Sequence, residues 1–122
     1  MSKKILIVED DALMLEVMAY ILSSGGYDVS TLSSGGEVFN QIKINRPDLV
    51  IVDTDLSGIN SREICRLIKL NNTTRNMRVI MCSNEDDSPE TIMEQRGSPD
   101  DVLEKPFDIS SLMQKVEHQF AA

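Results

Sequence analysis

Ile5-Leu6-Ile7-Val8-Glu9-Asp10-Asp11 carries four aliphatic residues that run without interruption into three carboxylates. A short continuous apolar run is what a β-strand covered on both faces requires, and the abrupt acidic end marks where the strand leaves the core. Two other stretches are built the same way: Leu49-Val50-Ile51-Val52 runs into Asp53, and Val79-Ile80-Met81-Cys82 runs into Ser83. Tyr27-Asp28-Val29-Ser30-Thr31-Leu32 alternates instead and suits a strand nearer an edge, while Val102-Leu103 is the shortest run. Segments of helical period separate these runs. The order is therefore βα five times, an α/β fold with a doubly wound parallel sheet.

The helix ends are legible in the same way. Met14, Val17, Met18, Ile21 and Leu22 form one apolar face, and Gly25-Gly26 stops that helix because glycine accepts the left-handed cap conformation. Ser34 with Glu37, and Asn60 with Glu63, have the cap-x-x-Glu spacing that satisfies the first free amides of a helix. Ser88 followed by Pro89 opens another helix, proline losing nothing at the first helical position. Asp108 caps a last helix whose stripe is Ile109, Leu112, Met113, Val116 and Phe120. Pro99 and the scarcity of apolar residues in Pro89–Arg96 predict a short fourth helix.

The totals bound what such a sheet can serve. A chain of 122 residues is expected to form a single domain over 1–122 without an effector domain, either as a stand-alone protein or as a fragment of a longer one. No segment approaches the ~18 consecutive apolar residues of a membrane span, and the apolar start is too short for a signal-peptide core, so a cytoplasmic protein without a membrane partner is expected. The net charge of −8 repels a phosphate backbone, which argues against direct nucleic-acid binding. Cys65 and Cys82 lie in no metal-binding spacing and read as reduced packing residues. His118, on the last helix, reads as a surface residue.

An open parallel sheet presents its functional groups beyond the carboxyl ends of the strands. Glu9, Asp10 and Asp11 follow the first run, Asp53 and Asp55 the third, Ser83 the fourth, and Lys105 closes the fifth. Two carboxylates ~4 Å apart repel by about 1 kcal/mol in water and about 4 kcal/mol at an effective dielectric near 20, so such a cluster calls for a cation. Ligands that are all oxygen, few, and on an open edge suit a magnesium ion, which keeps some of its waters. Asp53 ends a buried run, and a carboxylate there has the chemistry of a nucleophile towards phosphorus. Lys105 supplies a compact positive charge to phosphoryl oxygens, and Ser83 supplies a hydroxyl donor. Asp11 reads as a cap residue and not a ligand.

Over essentially its full length the chain resembles a response-regulator receiver domain. ILIVEDD at 5–11 is similar to that family's acid-pair motif, PDLVIVDTDLSG at 47–58 to its phospho-acceptor strand and loop, VIMCSN at 79–84 to its hydroxyl-bearing strand, and VLEKPF at 102–107 to its lysine-proline motif. Asp53 to Ser83 spans 30 positions and Ser83 to Lys105 spans 22, close to the transcription-factor branch of the family. The resemblance implies a flavodoxin-like strand order 2-1-3-4-5, the sheet order for which a receiver protein is itself a standard example. It implies that Glu9 and Asp10 hold magnesium directly or through water, that Asp53 is both ligand and phospho-acceptor, and that the backbone carbonyl of Asp55 is a further ligand. It implies that Ser83 and Lys105 contact the phosphoryl group, and that Lys105-Pro106 is a cis peptide. The implied donor is a histidine kinase or a histidine phosphotransfer domain, and the output partner is an unnamed protein. Such a domain is not an enzyme in the ordinary sense, since it catalyses only its own phosphorylation and dephosphorylation.

The chain departs from the family at several positions. Val102 stands where an aromatic is usual, three positions before the lysine, and the inward swing of that aromatic normally accompanies the hydroxyl's move towards the phosphate. Asn84 replaces a small residue after the hydroxyl, Ser57 and Ser61 stand where proline and glycine are common, and Arg96-Gly97-Ser98-Pro99-Asp100 replaces the usual entry to the last strand. A degenerate receiver acting through phosphorylation-independent contacts is the alternative; the retained Glu9, Asp10, Asp53, Ser83 and Lys105 argue against it, and Val102 argues for it. A magnesium-dependent phosphohydrolase needs a further general acid and a substrate pocket. A flavin carrier needs a first loop that does not repel phosphate.

Overall fold

The computed structural model describes residues 2–56, 59–84 and 88–121. Its elements follow the expected alternation: β1 Lys4–Val8, α1 Ala12–Ser24, β2 Asp28–Leu32, a 3-10 turn Gly35–Glu37, α2 Val38–Asn45, β3 Leu49–Asp53, α3 Ser61–Leu70, β4 Arg78–Ser83, α4 Pro89–Glu94, β5 Asp101–Glu104 and α5 Ile109–Phe120. All strand pairs are parallel and the sheet order is β2-β1-β3-β4-β5. The expected 2-1-3-4-5 order is thus the observed one.

Alternation along the central strands divides the core in two. Leu6, Val8, Val50, Val52, Val79, Met81 and Val102 point to one side, where Val38 and Ile42 of α2, Ile64 and Ile68 of α3, and Ile92 of α4 cover them. Ile5, Ile7, Leu49, Ile51, Ile80, Cys82 and Leu103 point to the other, under Met18 and Leu22 of α1 and Leu112 and Val116 of α5. Each such aliphatic side chain taken out of water contributes about 1.5–3 kcal/mol, which is why the runs appear continuous in sequence.

Some local expectations need correction. Val17 is 44% exposed and Ile109 61% exposed, so neither belongs to the buried stripe of its helix. α1 is apolar on nearly every side, and pattern alone does not tell which side the sheet takes. Ser34 makes no capping bond, because the 3-10 turn intervenes before α2. At α3 the Asn60 side chain accepts from the amides of Arg62 and Glu63, but the Glu63 carboxylate pairs with Arg66 and does not return to the cap. Ser88 and Asp108 cap as expected, accepting from Thr91 and Ser111. Gly26 takes φ +94°, and α4 is six residues long. The departure at Ser57 lies outside the described residues.

Candidate functional site

Register brings the acidic strand ends together. Val8 pairs with Val52, so Glu9 emerges beside Asp53, and Asp53 in turn pairs with Cys82, one residue before Ser83. The Lys105 amide donates to the Ser83 carbonyl at 2.7 Å, which fixes the start of the segment after β5 against the end of β4. The Lys105-Pro106 peptide is cis, as the resemblance implied.

Glu9 and Asp53 are 2% and 3% exposed, and carboxyl oxygens of Glu9, Asp10 and Asp53 lie within 4.8 Å of one another. The Lys105 ammonium sits 2.7 Å from Asp53 Oδ2 and 3.4 Å from both oxygens of Glu9. Asp53 Oδ1 accepts the Asp55 amide at 3.1 Å, so both oxygens of this carboxylate are held. Asp11 is turned away from the cluster, accepting from the amides of Leu13 and Met14 as the cap of α1.

The two buried carboxyls titrate in opposite directions. Burial pushes Glu9 up to about 8, aided by its hydrogen bond to Asp53 and by the Asp53 charge, and Lys105 only partly opposes this. Burial also disfavours the Asp53 carboxylate, but hydrogen bonds from Glu9, Lys105 and the Asp55 amide outweigh it and hold Asp53 below the usual carboxylate range. Burial lowers the proton affinity of Lys105, and the hydrogen bond and charge of Asp53 more than restore it. In the absence of a cation, these opposite shifts favour a proton on the Glu9 side of the pair and charge on Asp53.

The donor set fits a magnesium ion. It is all oxygen, comes from separate strand ends, and keeps one exposed member in Asp10. A buried polar atom supports the fit to a phosphoryl group: Ser83 is fully buried and its hydroxyl has no partner among the described residues. A hydroxyl so placed is costly unless a ligand oxygen completes it. The Cys82 thiol, buried beside Asp53 and pushed up to about 12 by burial, is no nucleophile.

The sequence reading passed over two groups here. The Thr54 hydroxyl, next to Asp53, is buried without a partner among the described residues. The Ser61 hydroxyl donates to the backbone carbonyl of Asp53. Ser61 stood out in the sequence only as a departure from glycine, and nothing local links it to a residue eight positions earlier.

Comparison with known proteins agrees with this geometry. The chain is 30% identical over 117 residues to the phosphate regulon transcriptional regulatory protein PhoB of Rhizobium meliloti, covering 96% of this chain and 52% of that protein. It is 28% identical over 116 residues to the DNA-binding response regulator MtrA of Mycobacterium tuberculosis, covering 95% of this chain and 50% of that one. The chain therefore spans about half the length of these curated relatives. Among solved structures, a response regulator described as putative from Chloroflexus aurantiacus superposes with a TM-score of 0.90 at 30% identity, covering all of both chains. The family model for the response regulator receiver domain matches residues 5–117. A match running from the first residue of the β1 apolar run to the last turn of α5 leaves no strand of the sheet outside it, and the chain belongs to the response regulator receiver domain family.

Proposed function

We propose that Asp53 accepts a phosphoryl group in a magnesium-dependent reaction and that the phosphorylated domain binds its output partner differently. The chain is a receiver domain of two-component signalling; the roles of its individual residues are our reading. Glu9, Asp10, Asp53 and the Asp55 carbonyl would hold the ion, whose chemistry is to neutralise charge on the transferring group. An Asp53 carboxylate oxygen forms the new bond to phosphorus while the bond from phosphorus to the donor breaks, and the donor imidazole leaves with its own electron pair. Lys105 binds the phosphoryl oxygens, and the Ser83 hydroxyl gains there the acceptor it lacks.

The observation that carries this reading is the Asp53 carboxylate itself, 3% exposed, ionised, and held between the Lys105 ammonium and the Glu9 carboxyl. A histidine kinase or histidine phosphotransfer domain is the proposed donor, in the cytoplasm, and the domain catalyses only its own phosphorylation and dephosphorylation. Incubation with acetyl phosphate and magnesium, read by intact mass, tests it. One phosphoryl increment is expected on the unmodified chain and none on Asp53→Asn; an increment that survives Asp53→Asn overturns the assignment.

A further inference from the structure

Ser61 is the first residue of α3 and is 2% exposed. Its hydroxyl is not needed to start that helix, because Asn60 already accepts from the amides of Arg62 and Glu63. It donates instead to the carbonyl of Asp53. Asp53 pairs with Cys82 of β4, and the Thr54 amide of the same peptide donates to the Cys82 carbonyl at 2.9 Å, but the paired positions of β1 and β3 end at Val8 and Val52, so the Asp53 carbonyl lies one residue past the last pair on the β1 side.

Beyond this β4 contact, Asp53 is held at three further points. Lys105 takes one carboxylate oxygen, the Asp55 amide takes the other, and Ser61 takes the peptide carbonyl. The first two contacts change when a metal or a phosphoryl group arrives, since both engage the reacting carboxylate. The third does not, because the carbonyl of Asp53 takes no part in the chemistry. It ties the peptide from which the nucleophile hangs, and from which the chain continues to Asp55, to a helix packed into the core through Ile64, Cys65 and Ile68.

We propose that Ser61 is a positioning residue for phosphoryl transfer, setting the Asp53 peptide so that its carboxylate and the Asp55 carbonyl face the same phosphoryl group and cation. The inference rests on Asp53 being the acceptor. A displacement of ~1 Å at a reacting atom costs up to about a hundredfold in rate, so one backbone tether is enough to matter.

Ser61→Gly, Ser61→Ala and Ser61→Thr in the whole chain test it, with the unmodified protein alongside. Glycine is the residue common at this place in the family and is expected to fold there. The measurements are the rate of acetyl phosphate uptake by intact mass over a range of donor concentrations, magnesium titration by amide chemical shifts, and the melting temperature. Ser61→Gly and Ser61→Ala are expected to lower the rate at saturating donor roughly ten- to a hundredfold. They are also expected to weaken magnesium binding several-fold and leave the half-saturating donor concentration nearly unchanged, whereas Ser61→Thr, which keeps the hydroxyl, retains most of the rate. Uptake by Ser61→Gly at the unmodified rate overturns the inference alone, as does a lowered melting temperature with rate and magnesium affinity intact. An unmodified chain that takes up no phosphoryl group overturns the acceptor reading and the inference with it.

Discussion

Glu9 and Asp53 end neighbouring strands, yet one is held protonated and the other ionised, because a single proton between two buried carboxyls costs less than two bare charges. The folded Glu9 lies near 8 against an ordinary 4.5. Between those values the folded protein without metal binds more protons than the unfolded one, so its stability falls as pH rises from about 4.5 to about 8. Asp53 works oppositely, but its window lies below 3.8 and does not offset this. Chemical denaturation at stepped pH without magnesium should show a decline of a few kcal/mol across that range. The decline should disappear in Glu9→Gln, and persistence there would show that another group is responsible. Lys105 permits a second separation. Its ammonium lies 2.7 Å from the acceptor and 3.4 Å from Glu9, and a cation cannot itself be a metal ligand, so Lys105→Ala should bind magnesium at least nearly as well as the unmodified chain but take up phosphoryl groups slowly. Loss of the fold in that variant would assign Lys105 a structural role instead.

At the scale of elements, the stretch from β4 through α4 to β5 carries the departures from the family pattern at Asn84, Arg96–Asp100 and Val102. Val102 is 7% exposed and packs on the same side as Met81 and Ile92, filling a core position with a small side chain. Phosphorylation should draw the Ser83 hydroxyl towards the new acceptor, since it has no hydrogen-bond partner among the described residues and a charge-assisted bond forms there. In a usual receiver an aromatic takes the space the hydroxyl leaves; Val102 is too short for that swing. A ligand shifts a population only by its differential interaction with the two arrangements, so β5 and α5 receive little of this bias. α4 has a single turn and a half and one fully buried anchor, Ile92, and yields more easily. Amide shifts with and without beryllofluoride and magnesium should therefore be larger from Asn84 to Arg96 than across Val102 and α5. Equal changes over both regions would show that the coupling runs through β5 after all.

Taken whole, the molecule joins its two cores across one sheet, and the site sits at the sheet edge where both cores end. A cation that binds only when β1 and β3 are aligned must stabilise the entire fold by mass action, by about 2.7 kcal/mol at a concentration 100 times its dissociation constant. The melting temperature should rise with magnesium in the unmodified chain and much less in Asp10→Asn. Asp10 is the exposed member of the cluster, so its amide variant should fold normally without the ion. An equal rise in both proteins would remove the cluster as the binding site.

The sequence by itself determined the strands, their parallel alternation with helices and the acidic ends of β1 and β3. These follow from residue type and spacing: a strand covered on both faces must be continuously apolar, and a carboxylate that follows it must leave the core. Resemblance added the strand order, the cis Lys105-Pro106 peptide and the Asp55 carbonyl as a ligand. Only the tertiary structure decided that Val17 lies outside the buried face of α1, that Ser34 is left out of the cap of α2, and that the Ser83 hydroxyl is enclosed without a partner among the described residues. It alone joined Ser61 to the carbonyl of Asp53. A helix that is apolar on nearly every side does not show in its pattern how far its buried face extends, and a hydroxyl's partner depends on atoms that only packing brings within reach.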